Sequence, residues 1–444
     1  MPDTIFTRNA RLRAQLRALL FPEAQAAKPP AAEPRPPAKF EMAFEIATAK
    51  DAPSDSAGCI DIVVTMNEIN DRHGTGPLVK RIFAGRQGIF AIHSRDDWGI
   101  HDFGDWHAKI SQQGRSRADC FRSVLRVLGG KRVRSVVCVP FLEDELLTSI
   151  AIKEAFDAKL CLYLMDDQNV AANVIPDGLM REFLEKCSLR LVTHPELRLA
   201  YELKYKLPFY ILPAVVPHQL VLTEPLAPVI PGDTSGALLG SFWDQSWFDG
   251  LCAALRHCRC RMEWYGNNKS PWLKYSDEEM MAAGIRPMGL VPEPQLAAAL
   301  RQYPFVMVPV GVLDDKDHNK GVASLSLPGR ILFAAAAANT PVLVIGSEQT
   351  CGSRFVRHFG IGLTAPYEAS HIGAAMERIC RPEAQREMRS NAARIASLFS
   401  DSGIVEWLPA SVDRGRPADA RFEDAFADYD AQRDPSCFSA VGTG

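Results

Sequence analysis

The sequence predicts an α/β protein made of two consecutive doubly wound, Rossmann-like domains with a helical and Pro-rich extension in front. Three observations carry this. From residue 59 to about 400, short apolar runs alternate with amphipathic segments. The runs are unbroken rather than alternating, as in strands covered on both faces. The pattern also halts in a proline-rich, aperiodic stretch at 213–234 and then restarts, the mark of a connection between domains. A chain of 444 residues is too long for one ordinary core and comfortable for two.

Taken in order, residues 5–20 predict a short amphipathic helix. Ile5, Leu12, Leu16, Leu19 and Leu20 share one face, with Arg8, Arg11, Arg13 and Arg17 around the rest. Such a helix can lie on an anionic membrane surface or dock on a protein. The Ala/Pro-rich stretch 24–38 predicts a semi-rigid linker, so 1–58 is an extension and folded structure is expected from about Cys59. In a first domain, 59–220, strands are predicted at 60–65, 89–93, 135–140, 160–165, 189–193 and 210–214, with helices at 116–128, 144–156, 177–187 and 195–205. In a second, 235–400, strands fall at 236–241, 262–266, 286–290, 305–310, 341–346 and 360–365. Its helices fall at 245–257, 293–302, 330–338, 368–380 and 383–399. Strand–helix alternation implies right-handed crossovers and parallel sheets. The polar tail, 401–444, is expected to cross back onto the first domain.

Composition excludes several functions. A formal charge of -3 provides no basic field to hold nucleic acid. The eleven cysteines are scattered through apolar runs, which indicates reduced thiols, and Cys258 with Cys260 lacks a second ligand pair at zinc spacing. No apolar run is long enough to span a membrane, and no leader pattern opens the chain. The expected location is cytoplasmic, with residues 5–20 as the one peripheral membrane contact.

In an open parallel sheet, ligands bind beyond the carboxyl ends of the strands, beside helix N-termini. In the second half, Ser326-Leu327-Pro328-Gly329-Arg330 opens an alanine-rich helix, with Ser326 as its expected N-cap and Pro328 in its first turn. The exposed N–H groups, the positive helix end and Arg330 suit a phosphate, although an ordinary capped helix has the same sequence features. Gly240-Ser241 is a small-residue turn that lets a phosphate approach. Tyr265-Gly266 closes the next strand, and Gly289 with Val291 would present backbone to a planar base. In the first half, Gly74-Thr75-Gly76 starts a helix after the opening strand, where glycines admit a ligand. No Gly-x-Gly-x-x-Gly is present, against a dehydrogenase. The loop from His93 to His101 gathers ionisable groups, with His93 and Asp96 the candidate general bases. Asp166, Asp167 and His194 complete a polar rim on the acceptor side; each is also a plausible structural residue.

The order of these pieces resembles the GT-B glycosyltransferases, over roughly residues 59–400. The Gly74–Gly76 loop is similar to that superfamily's acceptor-side glycine loop. Gly240-Ser241, Glu263-Trp264-Tyr265-Gly266 and Gly289-Leu290-Val291-Pro292 resemble its donor-domain turns, and SLPGRILFAAAAANTPVLVIG its donor-phosphate helix. The resemblance implies that Ser326, Gly329 and Arg330 meet a donor diphosphate, aided by Lys320, and that Gly289 and Val291 meet the base. Many retaining members carry two glutamates eight positions apart; those places here hold Ser326 and Ala334. The implied activity is transfer of a sugar from a nucleoside-diphosphate sugar, a UDP-sugar by preference, to a hydroxyl on a glycan, lipid-linked or protein acceptor. It would need no metal and no cofactor. A non-catalytic nucleotide-sugar binder and a sugar-nucleotide 2-epimerase are the alternatives.

Overall fold

A computed structural model describes residues 46–48, 58–72, 74–232, 235–267 and 273–430. The expected helix at 5–20, the linker at 24–38 and the end of the tail lie outside the described residues.

The first sheet contains β1 (Ile46–Thr48), β2 (Cys59–Thr65), β3 (Ile89–His93), β4 (Trp106–Lys109), β5 (Arg132–Cys138), β6 (Lys159–Leu164), β7 (Leu189–Val192) and β8 (Tyr210–Ile211). Their spatial order is β1-β4-β3-β2-β5-β6-β7-β8. Every pair is parallel except β1–β4. The second sheet contains β9 (Gly236–Leu239), β10 (Met262–Tyr265), β11 (Ile285–Gly289), β12 (Val306–Pro309), β13 (Val342–Ile345) and β14 (Gly362–Ala365). Its order is β11-β10-β9-β12-β13-β14, parallel throughout. These are the two doubly wound sheets the apolar runs predict. Burial on both faces explains the unbroken runs: β3, β9, β12 and β13 are buried at every position.

Two strands escaped the sequence reading. β4, Trp-His-Ala-Lys, is polar and only Ala108 is buried, so it shows neither an apolar run nor a clear period. β1 pairs along it from upstream of Cys59, so the folded part begins earlier than expected. A charged group inside β2 also has its reason. Asp61, 1% exposed, is ion-paired to Arg86 and Arg134 and accepts from Ser135 Oγ at 2.6 Å, as a buried charge requires.

Each sheet has a switch point where successive connections leave in opposite directions, between β2 and β5 in the first and between β9 and β12 in the second. One buried cluster runs from β2 and β3 through Leu212 and Val215 to the helix Gly329–Ala336 and on to Trp407 and Phe422. The chain returns to the first lobe through a parallel bridge between Val216 and Ser400. Beyond it the helix Ile404–Arg414 follows, and Lys159 pairs with Asp413 at 2.8 Å. Glu423 binds Arg198 and accepts from Ile211 N at 2.8 Å.

Candidate functional site

The second-lobe switch point is built from glycines and closed by one arginine. Gly240 leaves β9 at φ +96°, and a Cβ there would meet Arg330 Nη1 at 2.1 Å. Gly266 follows β10, and a Cβ on it would lie 2.2 Å from Gly240 O. Gly240 N donates to Tyr265 O at 2.9 Å and Gly266 N to Gly289 O at 3.1 Å, so three strand exits are stitched side by side. Arg330 then spans the switch point itself, donating to Ser241 O at 2.9 Å after β9 and to Pro309 O at 2.6 Å on β12. Among the described residues no carboxylate lies within ion-pairing distance of it. Burial pushes its pKa down to about 10, opposed by Tyr367 and Asp166.

The helix behind Arg330 differs from expectation at its first turn. Its N-cap is Pro328, with no side-chain cap, and the helix starts at Gly329. Ser326 stands two residues outside and donates its Oγ to Asp166 Oδ1 at 2.9 Å, across from the first lobe. The first-turn N–H groups are therefore left without a side-chain acceptor. Asn339 takes the left-handed position expected after this helix, at φ +52°.

Other expected donor residues take different places. Tyr265 belongs to the core, 6% exposed, with its hydroxyl 3.0 Å from Tyr303 Oη and hydrogen-bonded to Glu263; its carbonyl is what it lends to the turn. Gly289, at φ +73°, has open space where a Cβ would point, between exposed Met288 and Leu290. Val291 is half-buried against the core. Lys320 is half exposed, 3.3 Å from Asp315, and opens the helix Lys320–Ser324. In that helix Gly321 abuts Ala171 of the first lobe, where a Cβ would come within 2.8 Å of the carbonyl.

The first-lobe rim is organised by what each polar group holds. Asp167 accepts from four backbone N–H groups, those of Asn169, Val170, Ala171 and Ala172, and from Tyr201 Oη. It shapes the loop that meets Gly321 and is itself fully buried. Asp166 is half-buried. Desolvation pushes its carboxyl above the ordinary range, opposed by the Ser326 hydrogen bond and by His194. His194 caps the helix Pro195–Tyr205 through Nδ1, and its Nε2 donates to Leu325 O at 2.9 Å. Glu196, beside it, is hydrogen-bonded by Tyr429 and lies 3.3 Å from Arg354 Nε. Although burial acts to raise its pKa, His194 and Arg354 bring it down to about 2.

His93 and Asp96 do come together: Nε2 lies 2.7 Å from Oδ1, with Lys109 Nζ 3.0 Å from the other carboxylate oxygen. His101 and His107 stack alongside at 4.1 Å between ring centres. Burial lowers the pKa of His93 against the pull of Asp96. This group sits at the exits of β3 and β4, three strand steps from β6, roughly 14 Å along the sheet edge. It is thus apart from the Ser326–Asp166 contact. Gly74 is exposed with open space around it, and buried Thr75 begins the helix Thr75–Ile82. Gly76, expected to admit a ligand, is filled by its own chain, since a Cβ would lie 1.8 Å from Asn70 O.

Among the described residues, two clusters bring three potential metal ligands within 4.8 Å of one another: His93, Asp96 and His101, and His194, Glu196 and Cys351. Every member of the second is committed, Cys351 Sγ to Ser324 O at 3.3 Å. In the first, Lys109 already supplies positive charge to Asp96.

No protein-family model and no curated protein matches the sequence. Solved structures do match in shape. A sucrose-phosphate synthase from Thermosynechococcus elongatus superposes with a TM-score of 0.56 at 14% identity, covering 80% of this chain and 99% of that one. Os79 from O. sativa, solved in complex with UDP, gives 0.51 at 11% identity, with 80% and 99% covered. A putative UDP-N-acetylglucosamine 2-epimerase from Listeria monocytogenes gives 0.51 at 12%, with 82% and 99% covered. The chain has the GT-B fold.

Within the GT-B frame, the two switch points are where ligands gather, and sequence reasoning missed residues at both. Trp243 and Trp247 line a small recess, with room for about one water, together with Pro309, Gly311, Ser326 and Arg330. Their only sequence signal is a pair of tryptophans four apart just after the Gly-Ser turn. At the first switch point Glu145, fully buried, accepts from Ser94 Oγ at 2.6 Å and from the backbone N–H groups of Phe141 and Leu142 at 3.1 and 2.7 Å. In the sequence it reads only as an acidic residue in a helical first turn.

Proposed function

We propose that this chain is a glycosyltransferase that moves a sugar from a nucleoside-diphosphate sugar, a UDP-sugar by preference, to a hydroxyl on a glycan or glycoconjugate. The reading rests on Arg330. A guanidinium enclosed at a switch point, beside an uncapped helix N-terminus and with no ion-paired carboxylate among the described residues, favours an anionic ligand. In transfer, the bond between the sugar's C1 and the diphosphate oxygen breaks while C1 bonds the acceptor oxygen. The departing diphosphate's charge falls on Arg330 and the first-turn N–H groups of the helix Gly329–Ala336.

The acceptor proton needs a base beside the donor. Geometry favours Asp166 over the His93–Asp96 pair expected from the sequence. Asp166 reaches the segment that leads into the donor helix from the opposite lobe, its Oδ1 2.9 Å from Ser326 Oγ, whereas the His93–Asp96 pair lies three strand steps away. It also places a carboxylate next to Ser326, where the retaining-type glutamate is absent from the sequence. The His93–Asp96 group remains on the acceptor side, farther along the same edge. In this reading the reaction uses no metal and no cofactor, and the chain works in the cytoplasm; among the described residues no helix is long and apolar enough to cross a membrane.

A thermal-shift screen against UDP, GDP, ADP, CMP and their sugar conjugates tests the donor half. A ligand that binds only the folded state adds about 2.7 kcal/mol at a hundredfold excess over its Kd. One nucleotide family is expected to raise the Tm, and Arg330→Ala to abolish the rise; no rise with any of them sinks the proposal. Conversion of the bound nucleotide-sugar to its 2-epimer without any acceptor would favour the epimerase reading instead.

A further inference from the structure

The exits of β3 and β4 gather three imidazoles around one carboxylate, a group that the sugar-transfer reading leaves without a chemical role. His93 Nε2 lies 2.7 Å from Asp96 Oδ1, and His101 Nε2 lies 3.9 Å from the same oxygen. All three atoms fall within 4.8 Å of one another. A zinc ion with tetrahedral nitrogen and oxygen ligands keeps them about 3.3 Å apart. The two contacts to Oδ1 straddle that spacing, so small side-chain rotations bring all three atoms onto one ion.

The backbone around this group is already tied down. His93 ends β3, and its carbonyl accepts from Ile110 N at 2.9 Å. In the loop that follows, buried Glu68 accepts from the N–H groups of Asp97, Trp98 and Gly99 at 3.0, 3.0 and 2.7 Å. Asn70 Nδ2 donates at 3.3 Å to the carbonyl of Ile100, next to His101. His107, on β4, stacks face to face on His101, with 4.1 Å between ring centres and 2° between planes, which fixes the plane of the His101 ring.

Lys109 Nζ sits on Asp96 Oδ2 at 3.0 Å and leaves Oδ1 to the imidazoles. One ion pair accounts for the charge of Asp96, but not for two ring nitrogens converging on its other oxygen. Imidazole with a carboxylate suits zinc and its neighbours, whereas magnesium and calcium favour oxygen ligands throughout. His93 is buried, while the side chains of Asp96 and His101 are 34% and 27% exposed. An ion can therefore enter from solvent and keep a water in its fourth position.

We propose that His93 Nε2, Asp96 Oδ1 and His101 Nε2 bind one divalent transition-metal ion of the zinc class, which fastens the loop 94–101 to the end of β3. The ion lies three strand steps from Asp166 and takes no part in sugar transfer. The site stands whether or not the chain is a transferase.

The untagged, metal-free full chain is titrated calorimetrically with zinc chloride in a thiol-free reducing buffer. One equivalent is expected to bind at this site. His101→Ala and Asp96→Asn are each expected to weaken it about a hundredfold, since loss of an outer-shell partner alone costs about 10–100-fold. Lys109→Met removes a competing positive charge and is expected to tighten binding. His107→Phe keeps the stack and is expected to change the affinity by less than about tenfold. Zinc uptake that is the same in wild type and His101→Ala overturns the proposal, because the ion then belongs to cysteines elsewhere. No uptake by wild type, or displacement of zinc by an equal concentration of magnesium, overturns it too. Should the variants fail to fold, cobalt(II) bound to wild type replaces them. The visible absorption of a tetrahedral ion is expected, without the near-ultraviolet band that thiolate ligands give. A hydrated-ion spectrum, or a thiolate band, overturns the proposal.

Discussion

Replacing Glu145 with Gln is expected to remove a pH-dependent penalty from the folded protein. The carboxyl is fully buried at the first-lobe switch point, tying Ser94 after β3 to Phe141 and Leu142 after β5. Burial raises its pKa from 4.5 to about 7, opposed by those same hydrogen bonds. The folded state therefore holds the proton more tightly than the unfolded chain does. The penalty is absent below pH 4.5, grows as pH rises, and is complete above about 7. The full shift corresponds to about 3 kcal/mol, of which ~2.5 kcal/mol falls between pH 5 and pH 8.5. A glutamine is neutral throughout. Its Oε1 can accept from Phe141 N and Leu142 N, and its amide can donate to Ser94 Oγ, so the connections survive. Urea unfolding of both proteins at pH 5 and pH 8.5 measures the difference. The variant is expected to gain on wild type by about 2.5 kcal/mol at the higher pH. A stability gap that stays constant with pH would refute the claim that this carboxyl ionises at a cost in the folded state.

Glu196 has the opposite sign. Its pKa falls to about 2, so it stabilises the fold above 4.5 and loses that contribution as the pH drops toward 2. Glu196→Gln is expected to cost about 3 kcal/mol at pH 7, with the gap in Tm closing on acidification. Gly240→Ala forces a side chain into φ +96° and against the Arg330 guanidinium; it is expected to remove the nucleotide-induced thermal shift. Gly289→Ala shares the positive φ but has open space, and should cost only ~1–2 kcal/mol with binding retained. Asp166→Asn keeps an acceptor for Ser326 Oγ but removes the negative charge near Arg330. In equilibrium titration it is expected to bind UDP several-fold more tightly while transferring sugar far more slowly; unchanged turnover would remove Asp166 from the chemistry.

Much of the architecture is legible in the sequence because the signals are local. A strand covered on both faces must read as an unbroken apolar run, and β3 (Ile89–His93) and the helix Pro195–Tyr205 fall on the residues predicted. Gly240 and Arg330 could be singled out for the same reason, since a small turn after a strand and a cation at a helix start are features of a few adjacent residues. β4 was not legible: a polar edge strand covered by β1 carries no apolar period. Ser326 was misread as a cap because its partner, Asp166, lies 160 residues away. The role of Asp167 depends on a loop folding around its carboxylate, and Gly76 answers to Asn70 rather than to a ligand.

What the sequence determined by itself was the periodicity, and with it two parallel sheets and the edges where ligands can bind. Tertiary structure decided which groups meet at those edges. His194 reaches Leu325 O over 131 residues, and Arg330 joins Ser241 O to Pro309 O across the second switch point. Such pairings depend on how the two sheets and their helices pack, a property of distant segments together that no local pattern carries.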